Sequence, residues 1–398
     1  MSIKYKVGIN VSFTPSGGSL TQIINMVHYL SDEKDIELVI YSKKKHNPVF
    51  KNINLKYCKI HYSWLSNTFR LGRAIWEQLF LPFYVIRDGI DVLFCPGDIS
   101  PIYSSIKKVQ WIGTIGPFWE KMSVYETEFF RRIQYPLQKF LMSKSAERAD
   151  CVIFESQYTQ NYFLNRYNIS KDKTTVINIG KDEFYTPNKS NIKSNYSDQQ
   201  PYALCVSHLY AYKNIPRMIR CFCRANKKLN DKYRLLIAGA FISKKYTNTI
   251  RKEIDSHNYS KYITLLGSVS KESLKDLYQN TELLIFPSPC ENFAYTLVEA
   301  MSMGVPIVCS NSTAMPETCQ EAAIYFNPNN TKEMAEKIKL LISNEELRKT
   351  LSRKSLERVK KLPDYKEVTT KVINIIKSII FEREFFIFKI TVSNIKIR

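Results

Sequence analysis

The stretch from Leu283 to Asn327 constrains the fold of this 398-residue chain more than any other. Its apolar run Leu283–Phe286 is long enough for a buried strand and too short for a helix. A proline-rich loop follows, and Asn292 is the predicted N-cap of a helix from about Phe293 to Met303. A second apolar run covers Val305 to Ser310. The order strand, loop, helix, strand predicts a parallel sheet, and open α/β folds bind ligands at the carboxyl edge of such a sheet.

Two carboxylates lie in this stretch, Glu291 in the loop and Glu299 in the helix, with seven residues between them. Glu299 lies one turn beyond Thr296, so it can face the crevice that the loop borders. We expect the backbone N–H groups of Thr296, Leu297 and Val298 to be free at the helix start, where they suit an anion. An anion site between two hydroxyl-accepting carboxylates suits a phosphate ester with a sugar on each side, which is the layout of a nucleotide-sugar. The alternative is that both glutamates are solvent-facing charges.

The motif residues continue through the whole stretch. They are Pro287-Ser288, Glu291, Phe293, Glu299-Ala300-Met301, Gly304, Pro306, Pro316-Glu317, Ala322, Ala323 and Phe326. This pattern resembles the retaining glycosyltransferases of the GT-B fold, specifically the large family 4 or group 1 class known from bacterial polysaccharide and lipopolysaccharide synthesis. The resemblance extends more weakly over nearly the full length. It implies an α/β fold of two Rossmann-like domains that face each other across a cleft.

The length of the chain favours two domains of about 200 residues each. We predict an N-terminal acceptor domain over residues 1–195 and a nucleotide-sugar-binding domain over residues 200–364, with a polar linker between them. The resemblance implies that a C-terminal helix, about residues 365–385 with its pattern clearest over Tyr365 to Phe381, packs back on the first domain. The tail beyond it is basic and aromatic, and we assign it no role.

The resemblance also implies the donor-binding residues. These are Gly17, Gly18, His208, Lys213, Val269, Glu291, Asn292, Phe293, Ala294, Thr296, Leu297 and Glu299. Lys213 matches the phosphate-binding lysine, and His208 stands where the family has arginine, so a neutral ring replaces a fixed charge. Gly17 and Gly18 form a turn after the first strand, where glycines allow the backbone to approach a phosphate or sugar closely. A turn with a purely structural role explains the two glycines equally well.

The implied roles divide the chemistry among few groups. Glu291 holds hydroxyls of the transferred sugar, Glu299 holds the ribose, and neither is a nucleophile. Glu291 and Lys213 are the predicted catalytic residues. Because Lys213 and the helix start meet the pyrophosphate charge, we expect no metal and no cofactor besides the nucleotide-sugar.

The acceptor side is less well marked. The segment Val109 to Phe118 reads as a strand that ends in a loop, and the family often has a histidine there. No histidine lies between His61 and His208, so Trp111 and Thr114 are stand-ins for the acceptor contacts.

The predicted function is transfer of a hexose from a nucleotide-sugar to a glycan or lipid-linked saccharide, with retention of configuration. Two alternatives stay open. One is a GT-B nucleotide-sugar epimerase, which needs no acceptor. The other is a non-catalytic partner subunit, which the replacement of common family glycines by Asn292 and Ala294 favours.

The net charge of +21 calls for an anionic partner or reflects composition alone. No nucleic-acid-binding motif is present, so an anionic membrane surface fits better. Residues 64–88 predict a helix with interleaved aromatic and basic residues, including Arg70 and Arg73, that dips into lipid headgroups or packs on the core. No signal sequence or membrane-spanning run is evident, and nine cysteines without metal spacing indicate reduced thiols. We therefore expect a cytoplasmic protein, peripheral on the inner face of the membrane.

Overall fold

A computed structural model describes residues 5–13, 18–43, 58–65, 71–122, 129–187 and 200–395. The chain divides into two compact units. The first unit comprises residues 1–114, 137–180 and 363–398, and the second comprises residues 115–136 and 181–362. Gly17, Arg70 and most of the predicted linker lie outside the described residues.

Thirteen strands form two parallel sheets in the described residues. They are β1 (Tyr5–Val11), β2 (Ile36–Ser42), β3 (Cys58–Tyr62), β4 (Val92–Cys95), β5 (Lys107–Ile112), β6 (Cys151–Phe154), β7 (Thr174–Val176), β8 (Tyr202–Val206), β9 (Arg234–Ala238), β10 (Ile263–Gly267), β11 (Leu283–Phe286), β12 (Ile307–Ser310) and β13 (Ala323–Phe326). The first sheet has the order β3-β2-β1-β4-β5-β6-β7, and the second has the order β10-β9-β8-β11-β12-β13. In each sheet the strand order reverses beside the unit's first strand, between β1 and β4 and between β8 and β11. These are the switch points at which doubly wound sheets bind ligands.

The helices cover these sheets. They are α1 (Gly18–Ser31), α2 (Gly72–Ile75), α3 (Leu81–Arg87), α4 (Phe129–Glu147), α5 (Gln157–Leu164), α6 (Ile215–Lys227), α7 (Lys244–Ser256), α8 (Lys271–Asn280), α9 (Tyr295–Ser302), α10 (Met315–Cys319), α11 (Thr331–Ser343), α12 (Glu345–Lys360) and α13 (Tyr365–Ile395). A five-residue π-helical turn, Trp76–Phe80, joins α2 to α3. Short 3₁₀ turns complete the connections.

The core of the first unit lies on both faces of its sheet. On one face α1 and α13 cover β1, and α13 buries Val368, Val372 and Ile376 at four-residue spacing, which is one side of a helix. On the other face α3 contributes Leu81 and Val85. The second unit buries β8, β9 and β11 beneath α6, α7 and α11.

Most of the predicted elements are present, and some of their bounds differ. The strand at Leu283–Phe286 has the predicted bounds, and the strand predicted from Val305 to Ser310 begins at Ile307. The helix predicted over residues 64–88 is wrong at its start, because the helical segment begins at Gly72 and Trp64 lies before it. The C-terminal helix runs to Ile395, well past the predicted end. Strand β3 was not predicted, since its sequence mixes lysine and histidine with a single isoleucine.

The carboxyl ends of β8 and β9 approach each other closely at Gly239. Gly239 has φ +149°, and a β-carbon there would lie 1.9 Å from the carbonyl oxygen of Ser207. The chain beyond β8, which carries the predicted phosphate-binding residues, therefore depends on the absence of a side chain at this position.

We predict that Gly239→Ala lowers the free energy of unfolding of the second unit by more than about 3 kcal/mol, because the clash is with backbone atoms that cannot rotate away. Gly267→Ala is the matched control, since Gly267 also has positive φ but its nearest neighbour is the exposed Phe241 ring. That variant should cost about 1–2 kcal/mol. Urea unfolding followed by circular dichroism measures both, and equal losses would contradict the role of Gly239.

Candidate functional site

The loop between β11 and α9 stands at the carboxyl edge of the second sheet, next to the switch point between β8 and β11. Its side chains are largely buried: Ser288, Cys290, Asn292, Phe293 and Ala294 are each less than a tenth exposed. Glu291 is partly buried, and its N–H donates to the Thr313 hydroxyl at 3.0 Å. The loop is therefore held from below by its own apolar residues and from the side by the turn after β12.

Lys213 reaches Glu291 across the switch point. It ends the 3₁₀ turn Ala211–Lys213 that follows β8, and its ammonium group forms an ion pair with the Glu291 carboxylate. Both side chains are about one-seventh exposed. The ammonium also lies 5.0 Å from the Tyr212 ring centroid and 5.8 Å from that of Phe286. Two residues that are 78 positions apart in the chain thus meet at the carboxyl edge of the second sheet.

The electrostatics of Lys213 keep it charged. Burial lowers the pKa of the Lys213 ammonium, but attraction to Glu291 and to Tyr212 raises it more, so the net pKa lies above the ordinary value. Burial raises the pKa of the Tyr212 phenol to about 12 despite the neighbouring cation. A fixed positive charge that is held in a partly buried crevice suits a phosphate group.

Glu299 lies in α9, and its carboxylate receives a hydrogen bond of 3.0 Å from the Tyr278 hydroxyl. Burial raises the pKa of this carboxyl to about 7, although the Tyr278 bond opposes the rise. The Asp182 carboxylate raises the Glu299 pKa further, and the Lys271 ammonium lowers it. Near neutral pH, Glu299 is therefore poised between its protonated and ionised forms.

Asp182 and Lys271 form an ion pair of 2.6 Å that shares this surrounding. The Lys271 ammonium lies 4.6 Å from the Phe184 ring centroid and 5.7 Å from that of Tyr185. The Tyr185 ring in turn packs edge-on against Tyr278, with centroids 5.8 Å apart. Tyr185, which belongs to the second unit, thereby orients the tyrosine that binds Glu299.

His208 follows β8 and is exposed. Its Nδ1 accepts a hydrogen bond of 3.2 Å from the Ala240 N–H, which leaves the ring proton on Nε2. Burial of part of the ring lowers the pKa of His208, and the Lys213 charge lowers it further. The ring is therefore a neutral hydrogen-bond donor at the position where the family has arginine.

The start of α9 differs from the sequence prediction. The helix begins at Tyr295, and Ala294 rather than Asn292 occupies the capping position, without a side-chain cap. The N–H groups of Leu297 and Val298 both donate to the Ala294 carbonyl, at 3.0 and 3.3 Å. The expectation that these two groups are free is wrong, because the chain already turns at Ala294. Thr296 lies between Tyr295 and Leu297 in the first turn and is partly exposed.

The remaining donor-side predictions lie at the same sheet edge or outside it. Val269 stands in the loop between β10 and α8 and is partly exposed. Phe293 is buried beneath the loop. Gly18 is the first residue of α1 in the first unit, and Gly17 is not among the described residues. The roles given to these residues stay predictions.

The acceptor-side prediction needs a correction at Trp111. Its side chain is 2% exposed in the core of the first unit, and its indole N–H donates to Glu155 at 3.0 Å. It therefore cannot contact an acceptor, because strand β5 points it inward. Thr114 lies just beyond β5, where its N–H and that of Gly113 donate to Asp98 Oδ1 at 2.9 and 2.7 Å.

Asp98 is the carboxylate that sequence reasoning missed at this edge. It follows β4, beside the switch point of the first sheet, and has φ +70°. Burial raises the pKa of Asp98 to about 6, while Arg73 and the two backbone N–H groups lower it and Glu77 raises it slightly. The sequence around it, Pro96-Gly97-Asp98, is a turn signal that could have pointed to it.

Three other residues were also missed. Tyr278 and Lys271 lie on α8, and Thr313 lies after β12 in a left-handed conformation. None of them belongs to the motif around Glu291 and Glu299. They matter because they contact Glu299, Asp182 and Glu291 in the folded chain. Within the described ranges, no group of three or more histidine, cysteine, aspartate or glutamate side chains could hold a metal ion.

Comparison with known proteins gives consistent results. A model described as "Glycosyltransferase Family 4" matches residues 16–183, and one described as "Glycosyl transferases group 1" matches residues 188–358. The O-antigen chain mannosyltransferase RfbU of Salmonella typhimurium is 27% identical over 79% of this chain and 84% of that protein. The O-antigen chain mannosyltransferase B of Escherichia coli is 24% identical over 62% of this chain and 65% of that protein, slightly under two thirds of its length.

Among solved structures, Anabaena Alr3699/HepE in complex with UDP-glucose matches with a TM-score of 0.72 at 15% identity, covering 94% of this chain and 99% of that one. This likeness confirms the predicted fold class, two Rossmann-like α/β domains of the GT-B type. The two family models together account for nearly all of residues 16–358. The chain belongs to the group 1 glycosyltransferases, with a family 4 N-terminal region.

Proposed function

We propose that this protein transfers a hexose from a nucleotide-sugar to a glycan or lipid-linked saccharide, with retention of configuration. The observation that carries the proposal is the Lys213–Glu291 ion pair at the switch point of the second sheet. Mannose is the first sugar to test, because RfbU and mannosyltransferase B are O-antigen chain mannosyltransferases by name. The UDP-glucose complex of HepE supports a nucleotide-sugar donor.

In this proposal the donor takes over an interaction that the free enzyme makes internally. The pyrophosphate approaches Lys213 and shares its charge, so Glu291 is released to accept hydrogen bonds from the hydroxyls of the transferred sugar. Glu299 accepts hydrogen bonds from the ribose, and Tyr278 holds its carboxylate in place. As the glycosidic bond to the donor breaks, negative charge builds on the leaving phosphate, and Lys213 stabilises that charge.

The acceptor is assigned to the first unit, at the carboxyl edge of β4 and β5. Asp98 replaces Trp111 in this assignment, together with Thr114. An ionised Asp98 accepts a hydrogen bond from a hydroxyl of the acceptor next to the attacking one and so fixes the orientation of the acceptor. The attacking hydroxyl forms the new bond to the anomeric carbon and gives its proton to the leaving phosphate of the donor. No metal is assigned a part, since Lys213 meets the phosphate charge.

A screen of nucleotide-sugars by thermal shift is the first test, and it should include GDP-mannose and UDP-glucose. A donor that binds only the native state raises the melting temperature. We expect at least one donor to do so, and product analysis with an added saccharide acceptor to show a new glycosidic bond of retained anomeric configuration. A product of inverted configuration, or turnover of the donor to an epimer without acceptor, would overturn the proposal.

The first mutational prediction concerns Glu299. Glu299→Ala should weaken both free nucleotide and nucleotide-sugar by about 1.5–3 kcal/mol, because a hydrogen bond to a charged group is lost. Since the carboxyl pKa of about 7 falls when ribose hydroxyls stabilise the ionised form, wild-type binding should release a proton and strengthen as pH rises from about 6 to 8. Titration calorimetry in two buffers measures the proton release, and Glu299→Gln should abolish it. Unchanged release in Glu299→Gln would refute the ribose role.

The second prediction separates sugar from nucleotide. Glu291→Gln should leave the affinity for free nucleotide within about twofold and lower turnover by 10²-fold or more, on the order of one lost transition-state contact. Lys213→Ala should lower turnover at least as much and weaken the nucleotide as well, since it contacts phosphate. Equal loss of free-nucleotide affinity in both variants would show that the two roles are not distinct.

The third prediction concerns Asp98. Asp98→Asn keeps an oxygen for the Gly113 and Thr114 N–H groups but removes the charge, so the fold should persist while kcat/KM for the acceptor drops about tenfold or more. In the wild type, kcat/KM should fall as pH drops through about 6, where the carboxylate protonates, and Asp98→Asn should lack this limb.

The matched control is Asp150→Asn. Asp150 also accepts a backbone hydrogen bond, from Lys108, but it lies just before β6, at the opposite edge of the sheet. It should keep wild-type acceptor kinetics and the wild-type pH profile. If Asp98→Asn retains both as well, the acceptor assignment fails while the donor assignments stand.

A further inference from the structure

The outer side of the helix that joins β3 to β4 is apolar. Leu79, Phe83 and Ile86 are 69%, 64% and 55% exposed, and their spacing of four and three residues places them on one side of the helix. The opposite side, with Trp76 and Leu81, is fully buried. A helix that covers a soluble core normally carries polar residues on its outer side. Here both sides are apolar, and no described residue covers the side that carries Leu79, Phe83 and Ile86.

Further exposed apolar side chains flank this helix. Trp64 contacts the Phe80 ring edge-on at 5.8 Å, and it is more than half exposed. Leu137 and Phe140 project from α4, and Tyr103 stands in the loop between β4 and β5. We call Trp64, Leu79, Phe83, Ile86, Tyr103, Leu137 and Phe140 the apolar face.

Helices α3 and α4 cover the same face of the first sheet. Cys95 packs with the α3 residue Leu81, and Gln110 is the register partner of Cys95 on β5. Because register partners point to the same face, Gln110 also points toward the α3 side. Gln110 donates to the Met142 carbonyl of α4 at 3.3 Å, so α4 packs on that face too.

Positive charges border the apolar face. Lys139, Lys144 and Arg148 are exposed on and just after α4, and Arg87 is exposed at the end of α3. The Arg148 guanidinium lies 4.3 Å from the centroid of the Tyr103 ring. This border and the net charge of +21 complement an anionic surface better than a neutral one.

Arg73 does not belong to this border, although the sequence suggested it as a lipid-facing cation. Its guanidinium donates to Glu77 Oε1 at 2.9 Å and to the carbonyl of Gly97, and Glu77 is fully buried. The predicted role of Arg73 in lipid contact is therefore wrong, because the side chain turns into the polar core of the unit.

We propose that the apolar face inserts into the headgroup region of an anionic lipid bilayer. Apolar side chains in a row with a basic border are the signature of a helix that lies in the membrane interface. No helix in the described part of the chain is long and apolar enough to cross a membrane, so attachment is peripheral. The proposal gives the enzyme a place of action and does not depend on which sugar it transfers.

The test is co-sedimentation of the full-length protein with vesicles of phosphatidylglycerol and phosphatidylcholine, and with vesicles of phosphatidylcholine alone. The wild type should bind the anionic vesicles, and the triple variant Leu79→Gln, Phe83→Gln, Ile86→Gln should partition at least about tenfold less. In 1 M salt the wild type should remain partly bound, because apolar burial is not screened, while the triple variant should be released completely.

Leu340→Gln is the matched control, since Leu340 is an exposed leucine on α11 of the second unit. It should bind vesicles like the wild type. Circular dichroism and donor thermal shift should be the same in all variants, which separates lipid contact from loss of fold or of donor binding. Wild-type vesicle binding by the triple variant would overturn the proposal. So would a wild-type dimer that the triple variant disrupts in sedimentation velocity, because the face would then contact a second copy.

Discussion

The partly buried contact between Lys213 and Glu291 is the interaction on which the proposed donor site depends. Each residue follows a different central strand of the second sheet, and the contact forms only because β8 and β11 are neighbours at the point where the strand order reverses. An ion pair of this kind contributes little to stability, since desolvation offsets its attraction. In the proposed mechanism its role is positional, because it holds a cation and a hydroxyl acceptor in one place before the donor binds.

The residues around this ion pair have different parts in the proposed recognition of the donor. Tyr278, on α8, donates a hydrogen bond to the Glu299 carboxylate on α9. The charges of the Asp182–Lys271 ion pair act on the pKa of Glu299 in opposite directions. The lowered pKa of His208 makes it a neutral hydrogen-bond donor, so in the proposed mechanism Lys213 supplies the positive charge for the phosphate. Gly239 allows this arrangement, because the chain after β8 can pass close to the end of β9 only if residue 239 has no side chain.

Much of the fold, and the closeness of Glu291 and Glu299 within one unit of it, could be predicted from the sequence, for a physical reason. Short apolar runs mark buried parallel strands, and the motif around Glu291 and Glu299 lies within a single strand–loop–helix unit, where spacing in sequence translates into spacing in space. Contacts between distant segments could not be predicted in this way. Tyr278, Thr313 and Asp98 lie on elements outside the motif. The Trp111 side chain lies in the core of the first unit, in the same cluster as residues of α13. The Arg73 guanidinium binds Glu77, four residues further along the chain. The apolar face could not be predicted either, since the same residues would serve equally well in a core, and only their exposure in the folded structure distinguishes the two.

The most direct measurement is a crystal structure of the enzyme with the nucleotide-sugar that the donor screen identifies. We expect the Lys213–Glu291 contact to open, with the ammonium within about 3 Å of a phosphate oxygen and the Glu291 carboxylate accepting hydrogen bonds from sugar hydroxyls. We also expect both ribose hydroxyls to donate hydrogen bonds to the Glu299 carboxylate. A donor bound while the ion pair stays closed, or bound at another edge of the sheet, would contradict these expectations.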